Sequence, residues 1–158
     1  PGEVLTVSAP ERAEAGAPVD AAAEGVDFLL PNARVIDLPP ARVARSAANM
    51  WQVRFSMPDG YHANEAAPIL HRFWVEGDGV AIEGAGETHR ARAEDLPLLR
   101  TLKATNGEAT AVLHLAANFP YCTDRGGLCL VQSVVLRQEV TVVDGGPDWL
   151  NWTIPIEA

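Results

Sequence analysis

The chain has 158 residues, 47% of them hydrophobic, and a formal net charge of −9. That is apolar material enough for one cored domain and too much for a disordered chain. So acidic a chain repels phosphate backbones and anionic bilayers, which excludes nucleic acid and a membrane as expected partners.

No apolar run approaches the ~18–20 residues of a membrane helix, and no basic segment leads into an apolar one as in a secretory signal. With Pro1 in place of an initiating methionine, the chain is expected to be a processed product or an excised piece.

Residues 1–30 carry few aromatics and much Ala, Gly and Glu. Val4, Leu5 and Val7 suggest one short strand. Ser8 to Gly25 reads as a linker, with a short helix at 18–24 as the alternative. From residue 31 a folded domain is expected. Val35, Ile36 and Leu38 form a strand that Pro39-Pro40 should stop. Over 49–57, Trp51, Val53, Phe55 and Met57 alternate with polar residues, the signature of a half-buried strand. Pro58-Asp59-Gly60 is a turn. Strands are expected at 69–76 and 79–82, paired as a hairpin across a Gly77-Asp78-Gly79 turn. Residues 84–104 are polar with scattered Leu and read as a long connection, with Pro97 arguing against a helix. Strands follow at 109–119 and, as one long or two short pieces, at 130–143. In the last segment Leu150, Trp152, Ile154 and Ile156 alternate, and Pro155 places that strand at an edge or just past the ladder. These elements predict an all-β fold: an immunoglobulin-like antiparallel β-sandwich of about seven to nine strands, over residues 31–158, behind a loosely structured N-terminal arm at 1–30.

The only two cysteines, Cys122 and Cys129, flank a turn between two strongly β segments. Residues facing each other across a hairpin lie about 4.5–5.5 Å apart, which suits a disulfide. Closing so short a loop contributes roughly 2.5 kcal/mol in the chain-entropy model. Three readings stay open: a structural staple, a thiol–disulfide exchange pair, and two reduced thiols or metal ligands. Arg125 inside the turn would favour a thiolate, and Asp124 beside it would offset that charge. Zinc fits poorly: the cysteine spacing is wider than a knuckle, and His62, His71, His89 and His114 show no paired spacing. No metal and no cofactor is expected. The loop GYHANEAAP (60–68) is a candidate binding loop through Tyr61, His62 and Asn64, with Tyr121 beside Cys122 as a further candidate contact. In the competing structural reading Asn64 orders the turn and Tyr61 packs at the sandwich edge. Trp74, Trp149 and Trp152 could stack on a carbohydrate or small ligand, though such residues more often pack cores and edges. No nucleophile elbow, phosphate loop or carboxylate pair stands out.

Two of these stretches carry a resemblance. MPDGYHANEAAP (57–68) is similar to the LP-x-GYHLN-x-x-AP segment of thioredoxin-like proteins that contain NHL repeats, with Met57 and Ala63 each standing for Leu. NFPYCTDRGGLC (118–129) is similar to that family's YYC…C hairpin, with the same cysteine spacing and Pro120 in place of the first Tyr. WLNWTIPI follows at about the right distance. The likeness covers roughly 33–158, the C-terminal β-domain of that family, and PGEVLTVS resembles the end of an NHL repeat, which would make residues 1–30 the exit from a propeller. More distantly the chain resembles the N-terminal periplasmic domain of DsbD-type thiol:disulfide interchange reductases, whose hairpin cysteines lie one residue closer than here. The resemblance implies an accessory or interaction domain without catalysis of its own, with Cys122–Cys129 as a hairpin disulfide. The alternative it implies is an exchange relay with a thioredoxin-type partner. The expected partners are thus proteins, thioredoxin-like or NHL domains of the same chain included. In a relay, Cys122 is expected to be the more exposed sulfur.

Overall fold

The structure, a computed structural model, describes residues 3–6, 26–105 and 109–157. The expected linker over 8–25, its helical alternative at 18–24 and Val7 lie outside the described residues. Eleven strands follow in order: β1 (Glu3–Thr6), β2 (Arg34–Ala44), β3 (Ser46–Ser56), β4 (Tyr61–Ala63), β5 (Ile69–Glu76), β6 (Val80–Ile82), β7 (His89–Ala91), β8 (Leu98–Ala104), β9 (Thr110–Thr123), β10 (Cys129–Val143) and β11 (Trp149–Pro155). Among the described residues the only helical element is a 3-10 turn at Ala93–Asp95.

The strands build an all-β sandwich, as expected. One sheet runs β1-β11-β3-β8-β6, the other β2-β10-β9-β5-β7 with β4 also on β9. The facing sets β3-β8-β6 and β10-β9-β5 have the B-E-D and G-F-C order of an immunoglobulin sandwich. Two features depart from the expectation of seven to nine antiparallel strands: the count is higher, and β2–β10, β3–β11 and β1–β11 are parallel. The connections explain the second. Both β2→β3 and β10→β11 pass from one sheet to the other, so a parallel β2–β10 pair makes β3 and β11 parallel too. The two crossings are tied together: Arg45 N–H donates to Val143 O at 3.1 Å, Ala44 N–H to Pro147 O at 2.8 Å, and Arg45 pairs with Asp144 at 2.7 Å.

Alternation decides what faces the core. Trp51 and Val53 of β3, Ile69, His71 and Phe73 of β5, and Leu113, Leu115 and Phe119 of β9 point inward. Trp51 lies edge-on to Phe73 at 4.7 Å and to Trp152 at 4.5 Å, and Phe55 stacks on Phe119 at 4.4 Å. The indole Nε1 of Trp152 donates to Gln138 Oε1 at 2.7 Å, and Gln138 Nε2 donates to Pro39 O at 2.9 Å.

Three expectations are corrected. Gly77-Asp78-Gly79 does not close a hairpin: β5 pairs with β7 and β9 in one sheet and β6 with β8 in the other, so the turn carries the chain between sheets. Pro39-Pro40 does not stop the strand. β2 is the edge of its sheet, and its ladder shifts register between Gln138 and Val140, opposite the prolines, so their missing N–H groups cost no ladder bond. The stretch 84–104 is not a long connection, because it contains β7 and β8, and β8 lies between β3 and β6. The alternation in β8 is hidden because Arg100 takes an inward position between buried Leu98 and Leu102, while Leu99 faces solvent.

Residues 26–30 already belong to the packed body, ahead of the expected boundary. They cross the outer face of the second sheet as a strap, where Val26 packs with Ala116 and Val135, flanked by Phe28, Leu29 and Trp74. Asn118 Nδ2 donates to Phe28 O at 2.6 Å, Leu30 N–H donates to Ser133 Oγ at 2.9 Å, and Ser133 Oγ bonds Asn118 Oδ1.

Candidate functional site

β9 and β10 form a hairpin whose ladder runs from Thr110↔Thr141 to Cys122↔Cys129, so the cysteines are direct cross-strand partners. They are joined as a disulfide, with Cα atoms 4.0 Å apart. The turn beyond them is closed by its own hydrogen bonds. Thr123 N–H donates to Leu128 O at 2.8 Å, Thr123 Oγ1 donates to Arg125 O at 2.6 Å, and Leu128 N–H donates to Thr123 Oγ1 at 3.1 Å.

These bonds also fix which backbone groups face which neighbour. Thr123 is hydrogen-bonded across the turn to Leu128, and Pro120 O accepts from Asn64 N–H at 2.9 Å on the opposite side. Positions 120 and 122 of β9 therefore turn their backbone groups toward β4, and Cys122 and Cys129 form the closer, non-hydrogen-bonded kind of pair.

The two stretches singled out in the sequence meet here. β4 adds to β9 in the register Tyr61↔Thr123, His62↔Cys122, Ala63↔Tyr121. Strand alternation then sorts the candidate residues onto two faces. His62, Cys122 and Cys129 stand in one row on the outer face. Tyr61 and Tyr121 are on the inner face with their rings 5.7 Å apart; Tyr121 is buried, and its hydroxyl donates to Glu157 O at 3.3 Å. Asn64 lies past the end of β4, where its Oδ1 accepts from Ala66 N–H at 2.9 Å and orders the turn. Of the three binding candidates that stand in these paired strands, only His62 shares the face of the sulfurs.

Exposure reverses the expected order of the cysteines. Cys122 is buried, with 6% of its surface accessible, and Cys129 is exposed. The reason is position: β9 is flanked by β4 and β10 at this point, whereas among the described residues β10 has a strand on one side only. Asp124, expected beside Arg125, instead takes His62, whose Nδ1 lies 2.6 Å from its Oδ1. Around Cys129 three large apolar side chains face solvent: Leu128, Leu130 and Val131, at 59%, 38% and 47% exposure. Sequence reasoning passed over this patch and the His62–Asp124 pair. The signal for the patch was present in the run LCLV, where apolar residues occupy consecutive positions and cannot all face one core.

The tryptophan candidates separate too. Trp152 is fully buried and cannot meet a ligand. Trp74 stacks on His114 at 4.8 Å beside the strap, and Trp149 is partly exposed. Among the described residues, no group of three or more His, Cys, Asp or Glu gathers as a metal site. No protein-family profile matches the chain, and no curated protein sequence matches it.

Proposed function

We propose that this domain exchanges its Cys122–Cys129 disulfide with a protein dithiol of the thioredoxin type, with Cys129 as the sulfur attacked. One observation carries the reading: an exposed cysteine joined to a buried one, at a turn that backbone and Thr123 hydrogen bonds already close. The thirteen-pair register of β9 and β10 is set by the ladder and the turn, so the disulfide is not needed to align the two strands, whatever it contributes by restricting the unfolded chain. An incoming protein thiolate requires access to the sulfur it attacks, and the exposed Leu128, Leu130 and Val131 beside Cys129 offer apolar surface to a protein partner.

The exchange balances in two steps. The partner's thiolate attacks Cys129 Sγ, a mixed disulfide forms, and Cys122 leaves as a thiolate. The partner's second thiolate then attacks the partner's own sulfur of that mixed disulfide, and Cys129 leaves. Two electrons pass to the cysteine pair, the partner ends as a disulfide, and the released thiolates take protons from solvent. The similarity of residues 57–68 and 118–129 to thioredoxin-like, NHL-repeat proteins, and the more distant one to DsbD-type reductases, supports the same partner class.

A second reading is favoured by the burial of Cys122: an accessory interaction domain in which the disulfide is a permanent staple. Titration of the couple against glutathione buffers separates the two. A potential between about −180 and −270 mV supports exchange, and a value below about −300 mV identifies a staple.

A further inference from the structure

We infer that the open edge of β10 beside Cys129 is where the exchange partner docks, by adding an extended segment that lies next to its attacking cysteine as a temporary strand. This rests on the exchange reading and names the surface and the recognition mode for it. β10 is longer than its neighbour. Its ladder with β2 begins at Val134↔Arg34, so among the described residues no strand flanks that side of β10 from Cys129 to Gln132. The strap closes the edge from Leu30 onward through the Leu30 N–H bond to Ser133 Oγ.

Ladder parity says which groups the edge offers. Because Thr123 and Leu128 are hydrogen-bonded across the hairpin, Cys129 and Val131 turn their own N–H and C=O groups away from β9, toward the open side. Those are the donors and acceptors that strand addition uses, and they sit at the attacked cysteine and two residues from it. Leu128, Leu130 and Val131 supply apolar surface around them.

The occupant is a thiol protein rather than a second copy of this chain, for two reasons. Two chains of net charge −9 repel each other. An edge of four residues, roughly 13 Å long, is short for a lasting interface and suits a transient one.

Val131→Pro tests the inference. It deletes one outward N–H and no bond of the β9 ladder, because Val131 stands opposite Pro120 at a non-hydrogen-bonded position. The rate of disulfide reduction is measured with reduced thioredoxin and with dithiothreitol, for wild type, Val131→Pro and Val131→Ala. The expected result is about tenfold slower reduction of Val131→Pro by thioredoxin, the loss of one hydrogen bond, with dithiothreitol rates unchanged and Val131→Ala close to wild type. Equal slowing with both reductants, no slowing with either, or an alanine effect as large as the proline effect overturns it. Wild type inert to both reductants sinks the exchange reading itself, a different failure.

If Val131→Pro does not fold, amide hydrogen exchange decides. In a mixed disulfide between Cys122→Ala and a thioredoxin lacking its second cysteine, the Val131 amide should gain protection over the free domain. No gain overturns the inference, as does an amide already protected in the free domain, since the edge would then be occupied by the chain itself or a second copy.

Discussion

Protonation of His71 should be a principal acid weakness of this fold. The imidazole is buried between the sheets on β5, edge-on to Phe73 at 5.6 Å and stacked near His89 at 5.7 Å. Its Nε2 lies 2.9 Å from Arg100 Nη2. A guanidinium can only donate, so Nε2 accepts, and the ring proton sits on Nδ1, which donates to Ile69 O at 3.2 Å. Burial pushes the His71 pKa down from 6.5 to about 4; the bond to Ile69 O opposes this, and the Arg100 and His89 charges reinforce it. The folded state thus binds the proton less tightly than the unfolded chain. The stabilisation is complete above about pH 6.5 and drains away as pH falls toward 4. A gap of some two and a half pH units, at roughly 1.4 kcal/mol per unit, is about 3.5 kcal/mol in all, of which about 3 is lost by pH 4, where the folded ring is half protonated. Urea unfolding of wild type and His71→Gln between about pH 7 and pH 4 isolates this contribution, because other titrating groups are common to both proteins. The stability advantage of wild type should shrink by about 3 kcal/mol across that range. A difference that stays constant with pH would refute the argument, as would an NMR titration showing the His71 ring charged at pH 6 in the folded state.

Gln138→Leu should cost about 1–3 kcal/mol in chemical denaturation, because it leaves the buried Trp152 Nε1–H without its acceptor and Pro39 O without its donor; no loss would show that the indole finds another partner. Gly77 has φ +107°, and a Cβ there would stand 3.0 Å from Thr110 O, whereas Gly60, at φ +89°, has open space around it. Gly60→Ala should therefore lower stability by about 1 kcal/mol through backbone strain alone, and Gly77→Ala by more; equal effects would remove the steric part of the argument.

What was legible in the sequence follows from how each strand is buried. β3 and β5 each have one wet and one dry face, so Trp51-Val53-Phe55 and Ile69-His71-Phe73 show their period directly. β8 is equally central but spends an inward position on Arg100, whose guanidinium bonds His71 and lies 4.9 Å from the centre of the Phe73 ring. A charged side chain serving the core looks like a loop residue to any reading of hydrophobic period. Pro39-Pro40 misled for a related reason: proline stops a strand only where its N–H would have been needed, and need depends on neighbours the local sequence does not name. At the site, the cysteine hairpin was readable from its turn and its flanking β-branched residues. The exposure of the two sulfurs was not, because it depends on β4 adding to β9 and on β2 beginning where it does. Both are pairings between segments at least fifty residues apart.

The same hairpin serves as scaffold and as site, and its length is what separates the roles. From Val134 onward β10 is enclosed by β2 and β9, and its side chains at 134, 136, 140 and 142 are buried among those of both sheets. From Cys129 to Gln132 it extends past β2, and there the exposed residues begin. A chain of this amphipathic type would ordinarily shield such an overhang, since open apolar edges invite aggregation. Here the overhang is kept short, the strap bounds it at Ser133, and the molecule's acidity opposes self-pairing. Substitutions on the enclosed section should register as stability and those on the overhang as exchange rate. Because the ladder runs unbroken through both, the rigidity of the first holds the Cys129 sulfur in place for the second.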